Sequence, residues 1–222
     1  MILNEIMLKT ITITVLLLGD SQTAGMMGTL LEQHYRNHGL RVHREAASGK
    51  GVQYFLSASR QVDRRTSIND YPQKILMFHA QRTRIRNRLR KGVDYIIVGS
   101  LGGNDAYPGC CTNSKQRKKM INRYKRLYKQ LCFYGAIVIF NGSPPADISK
   151  WSRFDRRRAQ LDKIQDEAAM GTCIIRNSVR GMRIPPDVDG YHYNRSARLY
   201  VEYLIRLPGM DLPLLEAYNA GR

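Results

Sequence analysis

The chain has 222 residues, enough for one domain with a substantial core, and its apolar and charged shares are those of an ordinary globular protein. No stretch approaches the ~20 consecutive apolar residues that span a bilayer. Lys and Arg outnumber Asp and Glu by 36 to 18, a net charge of +18. Such a surface favours polyanions: nucleic acid, anionic lipid headgroups, acidic polysaccharide or a phosphate-bearing cell wall.

The first apolar run, residues 11–18, alternates β-branched residues in strand fashion. One lysine precedes it in "MLKTITITVLLLGDS", as in a signal peptide, but no A-x-A-like cleavage site follows. The reading is therefore a strand of the mature domain, which leaves the compartment open between cytoplasm, virion and release by lysis. Gln22 to Asn37 is expected to be a helix with Met26, Met27, Leu30, Leu31 and Tyr35 on one side, stopped at Gly39. "RVHREAA" is a short strand leading to the turn "SGKG" at 48–51. Residues 52–60 are read as helical, 61–74 as a polar loop and 76–91 as a basic helix. In that helix Arg82, Arg84, Arg86, Arg88 and Arg90 are spread all round the axis.

"GVDYIIVGSLGGND" is a second apolar strand breaking into a glycine loop, here with Asn104 and Asp105. A basic helix over 115–132, the strand "YGAIVIFNGSPP", a charged helix over 153–170 and the strand "GTCIIRNSV" follow. After "RIPPDVDGYHYN" a last helix, 194–206, turns Tyr200, Tyr203 and Leu204 to the core. Strands alternating with helices imply βαβ units and a parallel sheet covered on both faces. The whole chain, 1–222, reads as a single domain without internal repeats. Cys110, Cys111, Cys132 and Cys173 show no CxxC pair and no zinc-type Cys/His spacing, so no structural metal is expected. The thiols are either free or include one bridge. Cys110 and Cys111 either line a pocket or bridge to Cys132, with packing the favoured role.

Glycine loops follow strands at 19, 49 and 102, and in a parallel sheet all three gather at the carboxyl edge, where ligands bind. Ser21 stands there and needs a base to act as a nucleophile. His34 and His38 lie in or beside the first helix, His43 on a short strand and His79 at the start of a basic helix. His192 differs: it sits in a Pro/Gly/Asp loop with Asp189 three residues upstream. That spacing lets the carboxylate hold the imidazole Nδ1 and leaves Nε2 for the serine proton. The Ser21 N–H, the Gly49 N–H and the Asn104 side-chain amide can supply donors for a developing oxyanion.

"GDSQTAG" near the N-terminus, a glycine turn after the second strand, "GGND" after the third and a late "DGYH" resemble, in this order, the SGNH (GDSL-type) hydrolase family. The resemblance covers nearly the whole chain. It implies a three-layer α/β/α sandwich of flavodoxin-like kind and a metal-independent, cofactor-free serine esterase. Carried over residue by residue, it makes Ser21 the nucleophile and an oxyanion donor, Gly49 and Asn104 the other donors, His192 the base and Asp189 its orienting partner. The glycine block departs from the family's N-x-G-x-x-G, since this chain has "EAASGKG", so Gly51 stands as an alternative to Gly49.

Each residue also has a plainer reading. Ser21 is a good helix N-cap, Asn104 and Asp105 are good turn formers, and Asp187 could replace Asp189. Asp20 is read as stabilising loop backbone, and Ser100 lacks the glycine that a G-x-S-x-G elbow needs. Trp151 is read either as a sugar-stacking residue or as structural. "KQRKK", "RYKRLYK" and "RFDRRR" lie on expected helices, where they are either solvated faces or a hold on a polyanion; Tyr124 and Tyr128 among them are read as core. The charge directs the ester reading toward an acyl, chiefly acetyl, group on an anionic bacterial glycan or cell wall. The rivals are an inactive hydrolase-fold module that binds nucleic acid or an anionic surface, and a cell-wall-lytic component of a phage particle.

Overall fold

The computed structural model describes residues 12–56, 72–106, 111 and 113–211, with the backbone alone over 72–79. Expected features at 1–11, 57–71 and Cys110, and the side chain of His79, lie outside the described residues. Five strands run β1 Thr14–Gly19, β2 Arg41–Ala46, β3 Tyr95–Ser100, β4 Ile137–Asn141 and β5 Ile174–Asn177. The helices are α1 Ser21–Ala24, α2 Met26–Asn37, α3 Val52–Leu56, α4 Pro72–Lys91, α5 Ser114–Cys132, α6 Ile148–Ala169 and α7 Ala197–Leu204. A 3₁₀ turn spans Asn104–Ala106.

All strand pairs are parallel, in the order β2-β1-β3-β4-β5. This is the flavodoxin-like order, with its switch point between β1 and β3. β1 and β3 are central and buried almost throughout, as their unbroken apolar runs require. Alternate residues serve opposite faces. Leu16, Leu18, Ile96, Val98 and Phe140 pack toward Val52, Leu89, Tyr124, Tyr128, Leu161 and Ile164 of α3 to α6. Val15, Leu17, Tyr95 and Ile97 pack toward Met27, Leu31 and Tyr35 of α2 and Tyr200 and Leu204 of α7. Three layers result, and Tyr124 and Tyr128 are core residues, as expected.

Several boundaries differ from the sequence reading for local reasons. The first helix is two: Gly25 adopts extended backbone between α1 and α2, and the amide of Met26 behind it is capped by Asn194 Oδ1 at 3.3 Å. Met26 is consequently half exposed rather than core. α4 starts at Pro72, a residue suited to a first helical turn. α6 starts at Ile148, ahead of the expected 153, because Asp147 caps it through Ser149 N at 2.9 Å. α7 is shorter than expected because the amides of Asn194 and Arg195 are taken by the Asp187 carboxylate at 2.8 and 2.9 Å. Cys132 pairs with Cys173, not with Cys110 or Cys111, which ties the end of α5 to the segment entering β5. Among the described residues no cysteine is a free thiol.

Candidate active site

β1 ends at Gly19 and the chain turns at once into α1, so Ser21 occupies the first helical position at the sheet's carboxyl edge. An amide there has no intrahelical acceptor, which leaves the Ser21 N–H available. Asp20, one residue earlier, caps the turn by accepting the Gln22 N–H at 3.1 Å. That is the backbone role read for it from sequence, and it is Asp20 rather than Ser21 that serves as N-cap.

Ser21 Oγ lies 3.2 Å from His192 Nε2, and His192 Nδ1 lies 2.6 Å from Asp189 Oδ2. The other carboxylate oxygen, Asp189 Oδ1, accepts the amides of Tyr191 and His192 at 3.0 and 2.9 Å. Burial tends to raise the Asp189 pKa, but these two amides and the imidazole outweigh it and hold the carboxyl below the usual range. Asp187 does something else: it accepts the Asn194 and Arg195 amides and closes the loop, so it does not face the imidazole.

Asn104 Nδ2 donates to the Lys50 carbonyl at 3.1 Å, which joins the third glycine loop to the second. Asp105 strengthens that junction. It accepts Val52 N at 3.1 and 2.9 Å and the Tyr124 hydroxyl at 2.9 Å, and burial pushes its pKa to about 6. A Cβ on Gly51 would run into the Asp105 carboxylate, so glycine is required there by packing. Gly49, with φ +72°, has open space around it and lines the cavity, whereas Gly51 does not.

That cavity, of about 240 Å³, is bounded by Asp20, Ser21, Ser48, Gly49, Gly103, Asn104, Phe154, Arg158, Tyr191 and His192. Ser21, Gly49, Asn104 and His192 therefore share one chamber, with Asp189 directly behind the imidazole. Ser100 is fully buried and takes no place in it.

No family model and no curated protein matches the sequence. Solved structures do match in three dimensions. A G-D-S-L-family lipolytic protein from Veillonella parvula superposes with TM-score 0.55 at 16% identity, covering 91% of this chain and 99% of its own. A catalytic variant of Axe2, an acetylxylan esterase from Geobacillus stearothermophilus, gives 0.60 at 13% identity, with 89% and 95% covered. LAE5, an alpha/beta hydrolase enzyme from the metagenome of Lake Arreo, Spain, gives 0.61 at 12% identity, again with 89% and 95% covered. The chain has the SGNH hydrolase fold.

Within this SGNH fold the loop carrying Asp189 and His192 is gripped from two sides. From the Ser21 side, Gln22 Nε2 donates to the Tyr191 carbonyl at 2.6 Å. From the other, the first turn of α6 meets the loop three times: Asp147 N to Gly190 O at 2.7 Å, Lys150 Nζ to Val188 O at 2.6 Å and Trp151 Nε1 to Asp189 O at 2.6 Å. Trp151 departs from helical backbone (φ −131°, ψ 34°) in making this contact. Gly190 sits flat beneath the indole, where a Cβ would stand 2.8 Å from Trp151 Cδ1. Sequence pattern singled out Trp151 but gave it no partner, because a contact 38 positions away leaves no local spacing to read.

Proposed function

We propose that this chain is a serine esterase whose nucleophile is Ser21. The observation that carries the reading is the Ser21–His192–Asp189 line opening into the chamber that also holds Asn104 and Gly49. His192 Nε2 takes the hydroxyl proton as Ser21 Oγ attacks the ester carbonyl, and Asp189 steadies the imidazolium that forms. The oxyanion is met by the Ser21 and Gly49 amides and the Asn104 side chain. As the tetrahedral intermediate collapses, the imidazolium returns its proton to the leaving alcohol. Water activated by His192 then releases the acid and restores Ser21.

The substrate we infer is an acyl, chiefly acetyl, ester on an anionic polysaccharide or cell-wall polymer. Two things favour it: fold relatives that include acetylxylan esterases, and α5, which carries Lys115, Lys118, Lys119, Lys125, Arg126 and Lys129 on its exposed face with no acidic residue of its own. A polyanion held along α5 raises the local substrate concentration at the protein. The same charge would serve a non-catalytic binding module, but such a module has no use for an aligned Ser, His and Asp.

The decisive experiment is labelling with a fluorophosphonate, the modified residue being located by peptide mass spectrometry. Label on Ser21 that disappears in His192→Ala supports the esterase. A folded protein that takes no label overturns it. Loss of activity on an acetylated anionic glycan as salt rises to about 0.5 M supports recruitment by charge, because screening is then nearly complete beyond a few Å.

A further inference from the structure

Arg158 lines the chamber alongside Ser21, yet the acyl-transfer scheme gives it nothing to do. It is 3% exposed, and its guanidinium carbon lies 4.8 Å over the Phe154 ring. Among the described residues its Nε and Nη1 have no hydrogen-bond partner, and no carboxylate forms an ion pair with it. The chain treats its other sheltered arginines differently. Arg180 grips both oxygens of Asp155 at 2.7 and 2.6 Å, and Arg176 is paired with Asp162 and donates to Gln165. A desolvated, unpaired guanidinium is costly, and burial accordingly pushes the Arg158 pKa down. Asp20 offsets its charge most, without reaching it as an ion pair, and burial lifts that carboxyl to about 6.

Gly103 shows where the cation is open. A Cβ there would stand 3.0 Å from Arg158 Nη2, 3.3 Å from Ser143 Oγ and 3.5 Å from Asp20 Oδ2. Any larger residue would cover the guanidinium; glycine leaves it facing the chamber. Ser143 Oγ, the next atom to that position, is buried without a partner among the described residues. A guanidinium N–H lining a low-dielectric recess is a donor suited to a carboxylate.

We propose that Arg158 forms an anion subsite, so that the ester turned over at Ser21 carries a carboxylate within the span of this chamber. This rests on the esterase reading and narrows it. The carboxylate belongs either to the alcohol, as in an acidic sugar, or to the acyl group, as in the half-ester of a dicarboxylic acid.

Matched esters separate the two. 4-Acetoxybenzoate carries the charge on the alcohol and mono-4-nitrophenyl succinate carries it on the acyl group; their methyl esters are the neutral counterparts. One anionic ester is expected to exceed its neutral counterpart by about tenfold or more in kcat/KM, mainly through KM. That ratio falls to near one in Arg158→Met, recovers in part in Arg158→Lys, and is reduced in Gly103→Ala, where the methyl covers Nη2. Ratios near or below one for both pairs in the native protein overturn the subsite, as does an unchanged ratio in Gly103→Ala. Calorimetric titration of Ser21→Ala with benzoate and benzamide needs no turnover. Tighter binding of benzoate supports the subsite even if no ester is hydrolysed, and equal or weaker binding overturns it.

Discussion

The Trp151 indole and the Asp189 backbone carbonyl are joined by a 2.6 Å hydrogen bond, so Asp189 is held by its main chain as well as by its carboxylate. Trp151→Phe keeps the ring but loses the donor. The loop then keeps its Lys150 and Asp147 contacts, and the imidazole loses part of its alignment. The expected result is a five- to twentyfold fall in kcat with KM little changed, since small misplacements of a catalytic group cost on the order of 10²-fold at most here. Steady-state kinetics on p-nitrophenyl acetate measure it, and a change confined to KM would show that Trp151 acts on substrate instead.

Asn104 gives a sharper loss. One N–H of its amide is fixed on Lys50 O, which sets the plane of the group and aims the second. Asn104→Ala is expected to lower kcat by about 10²–10³, or roughly 3–4 kcal/mol of transition-state stabilisation. Hydrolysis of p-nitrophenyl acetate at the parental rate would remove Asn104 from the oxyanion site.

Asp20 makes a prediction about stability. Burial raises its pKa to about 6, against about 3.9 in an unfolded chain. Between those values the native state binds more protons than the unfolded state, so this group's contribution to stability falls as pH rises from about 4 through about 6. Asp20→Asn has no proton to lose. Whatever its pH-independent cost, its stability relative to the parent should improve by roughly 2 kcal/mol from pH 4 to pH 7.5. Urea denaturation at both pH values tests this, and an equal difference at the two would refute it.

The Cys132–Cys173 bridge closes a loop of sequence separation 41. Replacing both cysteines by serine should cost about 2–4 kcal/mol through the freed unfolded chain. Thermal melts of the double variant, and of native protein with and without reductant, would show it as a drop in Tm.

Sequence pattern revealed the layered sheet because β1, β3 and β4 are unbroken apolar runs separated by helices, and it pointed to Ser21, Gly49, Asn104 and His192 because each sits in a short glycine-bearing loop. It put His192 forward as a partner for Ser21 from its Pro/Gly/Asp loop and the Asp189 spacing, and from family order, since nothing local connects residues 171 positions apart. The start of α6 was hidden because Pro144 and Pro145 precede it and Trp151 leaves helical geometry. The disulfide partner was hidden too, since pairing follows the meeting of α5 with β5 and not cysteine spacing. Arg158 looked like one more member of a charged run, "RFDRRR"; only its burial sets it apart from Arg156 and Arg157.

Trp151, Phe154 and Arg158 fall on one stripe of α6, at the helical spacings of three and four. One stripe thus braces the loop of Asp189 and His192 and lines the chamber. A change there cannot be confined to one task, because a shift of the helix that widens the chamber also loosens the brace on Asp189. The chamber is therefore free to change shape mainly at Ser48 and Gly49, which follow β2 and lie outside that stripe.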